Sequence, residues 1–284
     1  RAHGSVSRVA LAACERLVNL CGEVQNRQAA VDAGGIEAIV AALQAHPQVA
    51  DMQQNGCRAM AFVCAGTDAA GIARKRAADV GGIEAIVAAL QAHPQVARVQ
   101  ENGCCALGNV CVGTDATGIA RIQRAADAGG IEVAVAAMQA HPQVAVVQQG
   151  GCMAMGSVCS GTDAAGLARR QRAADAGAIE AIVAAMQAHP QVAGVQQWAT
   201  CAPAPTPQGL HAGSAQQMRA MAAWRWPACA PAPTTQGFDA AALARIQRAA
   251  DAGGIEVVVA ALQAHPQVAG VQQFGCGVLG LVCS

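Results

Sequence analysis

Tyrosine is absent from the chain, and phenylalanine and tryptophan contribute three residues each among 284. Stacking on nucleic-acid bases therefore has almost no aromatic platform to use. Charge is scarce and balanced, with 18 basic against 18 acidic residues, so no net positive field exists to hold a phosphate backbone. Nucleic acid is not expected as a partner. The sequence also lacks a CxxC pair, a GxSxG elbow, a Walker motif and any glycine-rich nucleotide loop. Their absence removes the simplest signatures of redox, acyl-transfer and phosphoryl chemistry, and no enzymatic activity and no cofactor are expected.

What is present is aliphatic. A hydrophobic content of 54% with 13% charged residues excludes a disordered tail and requires a buried core. A chain of this length has no need of disulfide staples, so its thirteen cysteines fit a reducing compartment, which places the protein in the cytoplasm with the nucleus as the alternative. After Glu256 no Asp, Glu, Lys or Arg occurs, which raises the question of a membrane span. Gln263, His265, Pro266, Gln267, Gln272 and Gln273 in that stretch repeat what earlier, charge-bearing segments contain, so it reads as one more soluble segment and no span is expected. The chain opens on Arg1 and stops at Ser284 inside a recurring pattern, so both ends read as truncated.

That pattern organises the chain. The hexapeptide QAHPQV starts at Gln44, Gln91, Gln139, Gln187 and Gln263, with spacings of 47, 48, 48 and then 76 residues. A period in the forties with helical patterning indicates stacked helical units, none able to bury its apolar face alone. Within one unit, Gly81 and Gly82 open IEAIVAALQAH, whose Ile83, Ile86, Val87 and Leu90 recur at helical spacing until Pro94. Glu84 in its first turn and His93 in its last suit the helix dipole. Pro94 is expected early in the next helix, whose apolar stripe is Val96, Val99, Cys104, Leu107 and Cys111. Thr114 or Asp115 can cap a third helical run, ATGIARIQRAADA, ended by Gly129 and Gly130.

Three helices per unit, with VQENGCCALGNV at Val99 to Val110 and NRQAAVDAG at Asn26 to Gly34, resemble armadillo repeats over most of the chain. In that family a helix reads much like VQEQAxWALxNL and a joint reads NRQAIVEAG. This chain departs in having Cys105 where the family has Trp, and a longer first helix in later units. The resemblance implies an all-α, armadillo-type, right-handed solenoid of three-helix repeats, interrupted by an irregular Pro-rich segment. The units are read as 1–34 (partial), 35–81, 82–129, 130–177, 178–197 (the start of a damaged unit), an insert at 198–237, and 238–284 (resumed and truncated).

The insert holds all three tryptophans and six of the eleven prolines, and WATCAPAPTPQG from Trp198 resembles WPACAPAPTTQG from Trp226. As protein it reads as a Pro-rich loop without a basic residue flanking a clean PxxP. As coding sequence it reads as repeat DNA out of frame. Allowed codons for Ser214 to Trp226, entered two bases later, translate as RAADAGDGGMEV, close to the repeat's RAADAGGIEV.

Most polar features have structural readings. Ten cysteines form pairs seven residues apart (Cys14 and Cys21, Cys57 and Cys64, Cys104 and Cys111, Cys152 and Cys159, Cys276 and Cys283). Two helical turns separate such a pair by about 10 Å, beyond the roughly 7 Å that permits a disulfide, so these thiols are read as small apolar fillers. The HisPro histidines are read as helix ends rather than metal ligands, and the aspartates at 32, 79, 127, 175 and 251 as turn residues. The third helix differs, because the resemblance places it along a concave groove, with i, i+4 and i+8 on one face. Those positions give Leu11, Glu15 and Asn19; Gln54, Arg58 and Phe62; Glu101, Cys105 and Asn109; Gln149, Met153 and Ser157; and Gln273, Gly277 and Leu281.

In importin alpha and beta-catenin the last position carries an Asn that bonds the backbone of an extended peptide. Here Asn19 and Asn109 match, while the Trp and acidic pockets for basic nuclear signals are missing, which disfavours an importin-like role. The implied function is a noncatalytic, monomeric protein-interaction scaffold that binds a protein or peptide in the groove. The alternative is a targeting array of a larger kinase or ubiquitin ligase, and a third reading is recent duplication with little selected binding. Independent cDNA read through codons 190 to 240 is expected to restore the repeat frame; the present frame reappearing there would establish the Pro-rich segment as a real interruption.

Overall fold

The structure is a computed structural model that describes residues 2–66, 71, 75, 81–113, 115–161, 163–201 and 240–271. Among these residues every regular element is an α-helix, and the helices fall into repeated triplets. First helices are α2 (Asn26–Asp32), α7 (Ala116–Asp127), α10 (Ala164–Asp175) and α13 (Ala240–Asp251). Second helices are α3 (Gly35–Ala45), α5 (Gly82–Ala92), α8 (Gly130–Ala140), α11 (Ala178–Ala188) and α14 (Gly254–Ala264). Third helices are α1 (Ala2–Gly22), α4 (Ala50–Val63), α6 (Ala97–Val110), α9 (Ala145–Val158) and α12 (Ala193–Cys201).

Local chemistry sets each boundary. The Asp115 and Asp163 carboxylates accept the Gly118 and Gly166 amides at 2.9 Å and so start α7 and α10; Thr114 lies outside the described residues. Those helices end where Gly129 and Gly177 adopt φ of 91° and 84°, a left-handed conformation that a side chain would strain. The aspartates of the AspAlaGly joints do not shape the turn, which corrects the reading from sequence. Asp32, Asp127, Asp175 and Asp251 instead accept the amide of a glutamine one helical turn earlier, at 2.7–2.9 Å, and the glycine makes the reversal.

The HisProGln segment also differs from the sequence expectation. The third helix starts at Ala97 after an extended Val96, so Pro94 lies in the turn and not in the helix. A glutamine inside the third helix holds that turn closed. The buried Gln100 amide donates to the Leu90 and His93 carbonyls, both at 2.9 Å, satisfying acceptors that the end of α5 leaves open. Gln53, Gln148 and Gln196 do the same in their units. The two helices then meet closely. A Cβ on Gly103 would lie 2.6 Å from Leu90 Cδ2, and one on Gly151 2.4 Å from Met138 Cγ.

Successive units join through three ladders. His93, His141, His189 and His265 each place Nε2 2.8 Å from the carbonyl of the preceding unit's proline, Pro47, Pro94, Pro142 and Pro190. A carbonyl can only accept, so Nε2 carries the proton. Arg124 grips Glu84 with two bonds of 2.6 and 2.9 Å, and Arg172 meets Glu132 at 2.6 Å. The third ladder uses buried arginines: Arg169 reaches half-buried Gln123 and Arg245 reaches half-buried Gln171 on the preceding first helix, at 2.7 and 2.8 Å. Third helices form the most extensive helix-to-helix packing of the stack, and its continuous core runs from Val18 to Val271.

The stack crosses the insert. His265 bonds Pro190 and Arg245 reaches Gln171 as in the intact joints, whereas Arg248 stands 3.9 Å from Glu180 and donates to the Ala174 carbonyl at 2.7 Å instead, so the resumed unit docks on the unit preceding the insert through two of the three ladders. The helix α12 runs through Trp198 to Cys201, and Trp198 packs against the core. The remainder of the insert lies outside the described residues.

Replacing Gln100 by Leu orphans two buried carbonyls and is expected to destabilise the protein by about 2–4 kcal/mol, read as a lowered urea midpoint. Arg124→Ala removes a pair whose side chains are 39% and 47% exposed and is expected to cost less than about 1 kcal/mol. Equal effects would contradict the division between turn clamp and surface pair.

Candidate functional site

A third helix buries one face in the stack and leaves one stripe uncovered. Along α6 the residues that are not buried are Ala97, Arg98, Glu101, Asn102, Cys105 and Asn109, and along α4 they include Gln54, Arg58 and Phe62. The i, i+4, i+8 positions therefore lie on the uncovered stripe, and the side-by-side packing of α1, α4, α6, α9 and α12 makes those stripes neighbours. Glu15, Asn19 and Arg58 are exposed; Gln54, Phe62, Glu101, Cys105, Asn109, Gln149, Met153 and Ser157 are half-buried.

These residues differ in what they offer. The Arg58 guanidinium lies 5.8 Å from the centre of the Phe62 ring, one helical turn away, a cation–π arrangement that steadies a long side chain at the surface. Asn109 is already engaged. Its Nδ2 donates to the Ala61 carbonyl on α4 at 3.0 Å, so it ties two units together and has less donor capacity for a ligand. Met153 reaches back over Gly108, where an added Cβ would be 2.7 Å from its methyl, and Cys105 lies against Gly150. Gln149 covers Gly194 in the same manner. Small residues on one unit thus receive side chains from its neighbour, and the stripes form one surface.

One member of the series is not found by the sequence reading. Gln197 stands in the same register as Gln149, and its side chain covers Gly270 of the resumed unit, where an added Cβ would lie 2.9 Å from Gln197 Cδ. The signal is present in the shared VQQ of Val147 and Val195, but the assignment stops where the motif fails one residue later. The positions Gln273, Gly277 and Leu281 lie outside the described residues.

The cysteine ladder has no reactive character. Cys14, Cys57, Cys104 and Cys152 line up through successive third helices, and the nine cysteines from Cys14 to Cys159 are free thiols. Burial pushes Cys57 and Cys159 up to about 12 and raises Cys104 further, the opposite of the lowered values that make a thiolate nucleophile. Cys105, on the uncovered stripe, is pushed up to about 11 by burial and then by the charge of Glu101. Among the described residues no group of three His, Cys, Asp or Glu is placed to hold a metal ion, and no helix is long and apolar enough to cross a membrane. No known protein family, curated protein or solved structure matches the chain.

Residue-resolved alkylation of the native protein is expected to label Cys105 before Cys57, Cys104 or Cys152, which should react only once the stack opens. Early labelling of Cys104 would contradict its place in the seam.

Proposed function

We propose that this chain is an armadillo-type right-handed α-solenoid that serves as a noncatalytic protein-interaction scaffold, holding an extended partner segment along its third helices. One observation carries the reading: the uncovered stripes of adjacent third helices interlock through Met153 on Gly108, Cys105 on Gly150 and Gln149 on Gly194 into a single strip that crosses unit boundaries. A strip of that kind suits a chain that runs across helices and collects modest contacts from each unit, whose combination supplies the affinity.

The chemistry of the strip selects the partner segment. Arg58 is an exposed cation on it, oriented over Phe62, and a carboxylate on the partner would take the guanidinium. Partly covered Phe62, Cys105 and Met153 give apolar side chains of the partner a place to rest. Asn19, exposed on α1, keeps its amide for a partner backbone. Asn109 contributes chiefly by holding α6 to α4 through Ala61.

Selecting binders from a displayed library of extended peptides on the full 284-residue chain is expected to enrich sequences with an acidic residue. Arg58→Glu should weaken those binders by about tenfold, the equivalent of about 1.4 kcal/mol, with less effect from Asn109→Ala on affinity than on stability. Binders that hold equally to Arg58→Glu and to Phe62→Ala would place recognition elsewhere and end the groove reading.

A further inference from the structure

The repeated units allow one unit's side chains to be judged against the others. In the intact units a buried arginine of the first helix closes the end of the preceding third helix. Arg121 donates through Nε to the Val110 carbonyl at 2.9 Å and through Nη2 to Val112 at 3.5 Å. Arg169 donates through Nε to Val158 at 3.0 Å and through Nη2 to Ser160 at 2.6 Å. The same edge of the guanidinium, Nε and Nη2, thus takes a pair of oxygens that carry the negative end of a helix.

Arg245 stands at the same register in the resumed unit. It is 5% exposed, and its Nη1 reaches Gln171 at 2.8 Å as Arg169 reaches Gln123. Its Nε and Nη2, however, are buried with no hydrogen-bond partner. One unit back, the third helix α12 is described over nine residues to Cys201, where α9 runs for fourteen, and the positions in register with the Val158 and Ser160 carbonyls lie outside the described residues. In sequence register Val158 corresponds to Thr206, among Pro203, Pro205 and Pro207. The unit is also less closed: Ile182 is 9% exposed, whereas Ile86 in an intact unit is fully buried.

The surrounding charge makes the open edge more demanding. Arg170, 5% exposed, occupies the place of Ile122 and spends its donors on the Cys159 and Gly161 carbonyls. Burial first, and then the like charges of Arg245 and Arg169, pull Arg170 below its ordinary range. The acid facing this group is Asp163, whose carboxylate also caps α10 by accepting from Gly166. A buried guanidinium with two empty donors beside two others is costly unless an acceptor with negative charge joins it.

We propose that the Nε and Nη2 edge of Arg245 is a carboxylate-binding site. A carboxylate offers two oxygens at the spacing of that edge and forms a bidentate pair, taking the place that two carbonyls fill beside Arg121 and Arg169 and supplying the charge that a helix end only partly provides. The ligand is a free small carboxylate or an acidic side chain or terminus of a partner segment. This site is independent of the third-helix strip.

The full chain, labelled with 15N-arginine, is titrated with acetate against chloride at constant ionic strength, and separately with a capped aspartate-containing tripeptide. The Arg245 Nε–H resonance should shift saturably with acetate and not with chloride. Arg245→Met, monitored by carboxylate-dependent thermal stabilisation, should raise the half-saturating concentration at least tenfold, while Arg98→Met at an exposed position should leave it unchanged. Tighter binding of the tripeptide than of acetate identifies a partner segment as the source; the reverse identifies a free carboxylate. No shift, or an equal shift with chloride, overturns the site, and the resonance measurement decides this even where Arg245→Met fails to fold.

Discussion

One hydrogen bond recurs at four successive joints of the stack: an imidazole Nε2–H given to the proline carbonyl of the unit before it, at 2.8 Å from His93 to Pro47 and again from His265 to Pro190. It requires three things at once. The second helix must end at the histidine, the following turn must present the proline carbonyl outward, and neighbouring second helices must be in register. Proline suits the turn because it has no N–H to leave unsatisfied, and the buried glutamine of the third helix fixes the turn from within. A single set of residues therefore shapes the unit and its interface with the next. In a repeat protein, stability is the sum of these unit and interface terms.

From that constraint follow the positions of the third helices. Once the turns are registered, α4, α6, α9 and α12 lie side by side, their cysteines and small residues fill the seam, and their uncovered stripes merge. The strip is shaped by what neighbouring units exchange: a methionine over a glycine, an asparagine bonded to a carbonyl on the adjacent helix. Polarity along it is sparse, so it suits a partner held by many weak contacts more than one held by a single deep pocket.

Much of this is legible in the sequence, because helical periodicity and glycine punctuation are local properties. The second helix from Gly82 to Ala92, the Asp115 cap and the cysteine stripe can be read within one unit. Other features depend on partners a whole unit away. Nothing within a single unit indicates that His93 serves Pro47, that Arg169 reaches Gln123, or that Asn109 spends its amide on Ala61. Sequence alone puts Pro94 in a helix because proline is favoured in first turns, whereas the clamp from Gln100 delays the helix to Ala97. The failing motif at Trp198 hides a helix that persists to Cys201, since packing against the preceding third helix outweighs the loss of the pattern. The empty edge of Arg245 is visible only against intact units.

The histidine-to-proline joint is repeated across the insert as elsewhere. Gln143, Gln191 and Gln267 are exposed and follow the prolines of three successive turns. Spin labels carried on non-natural residues at 143 and 191, and in a second protein at 191 and 267, measure the two joints directly. The account predicts the same narrow distance distribution for both pairs. A longer or broad distribution for 191 and 267 would show that the resumed unit does not dock through His265, and that the strip ends at α12.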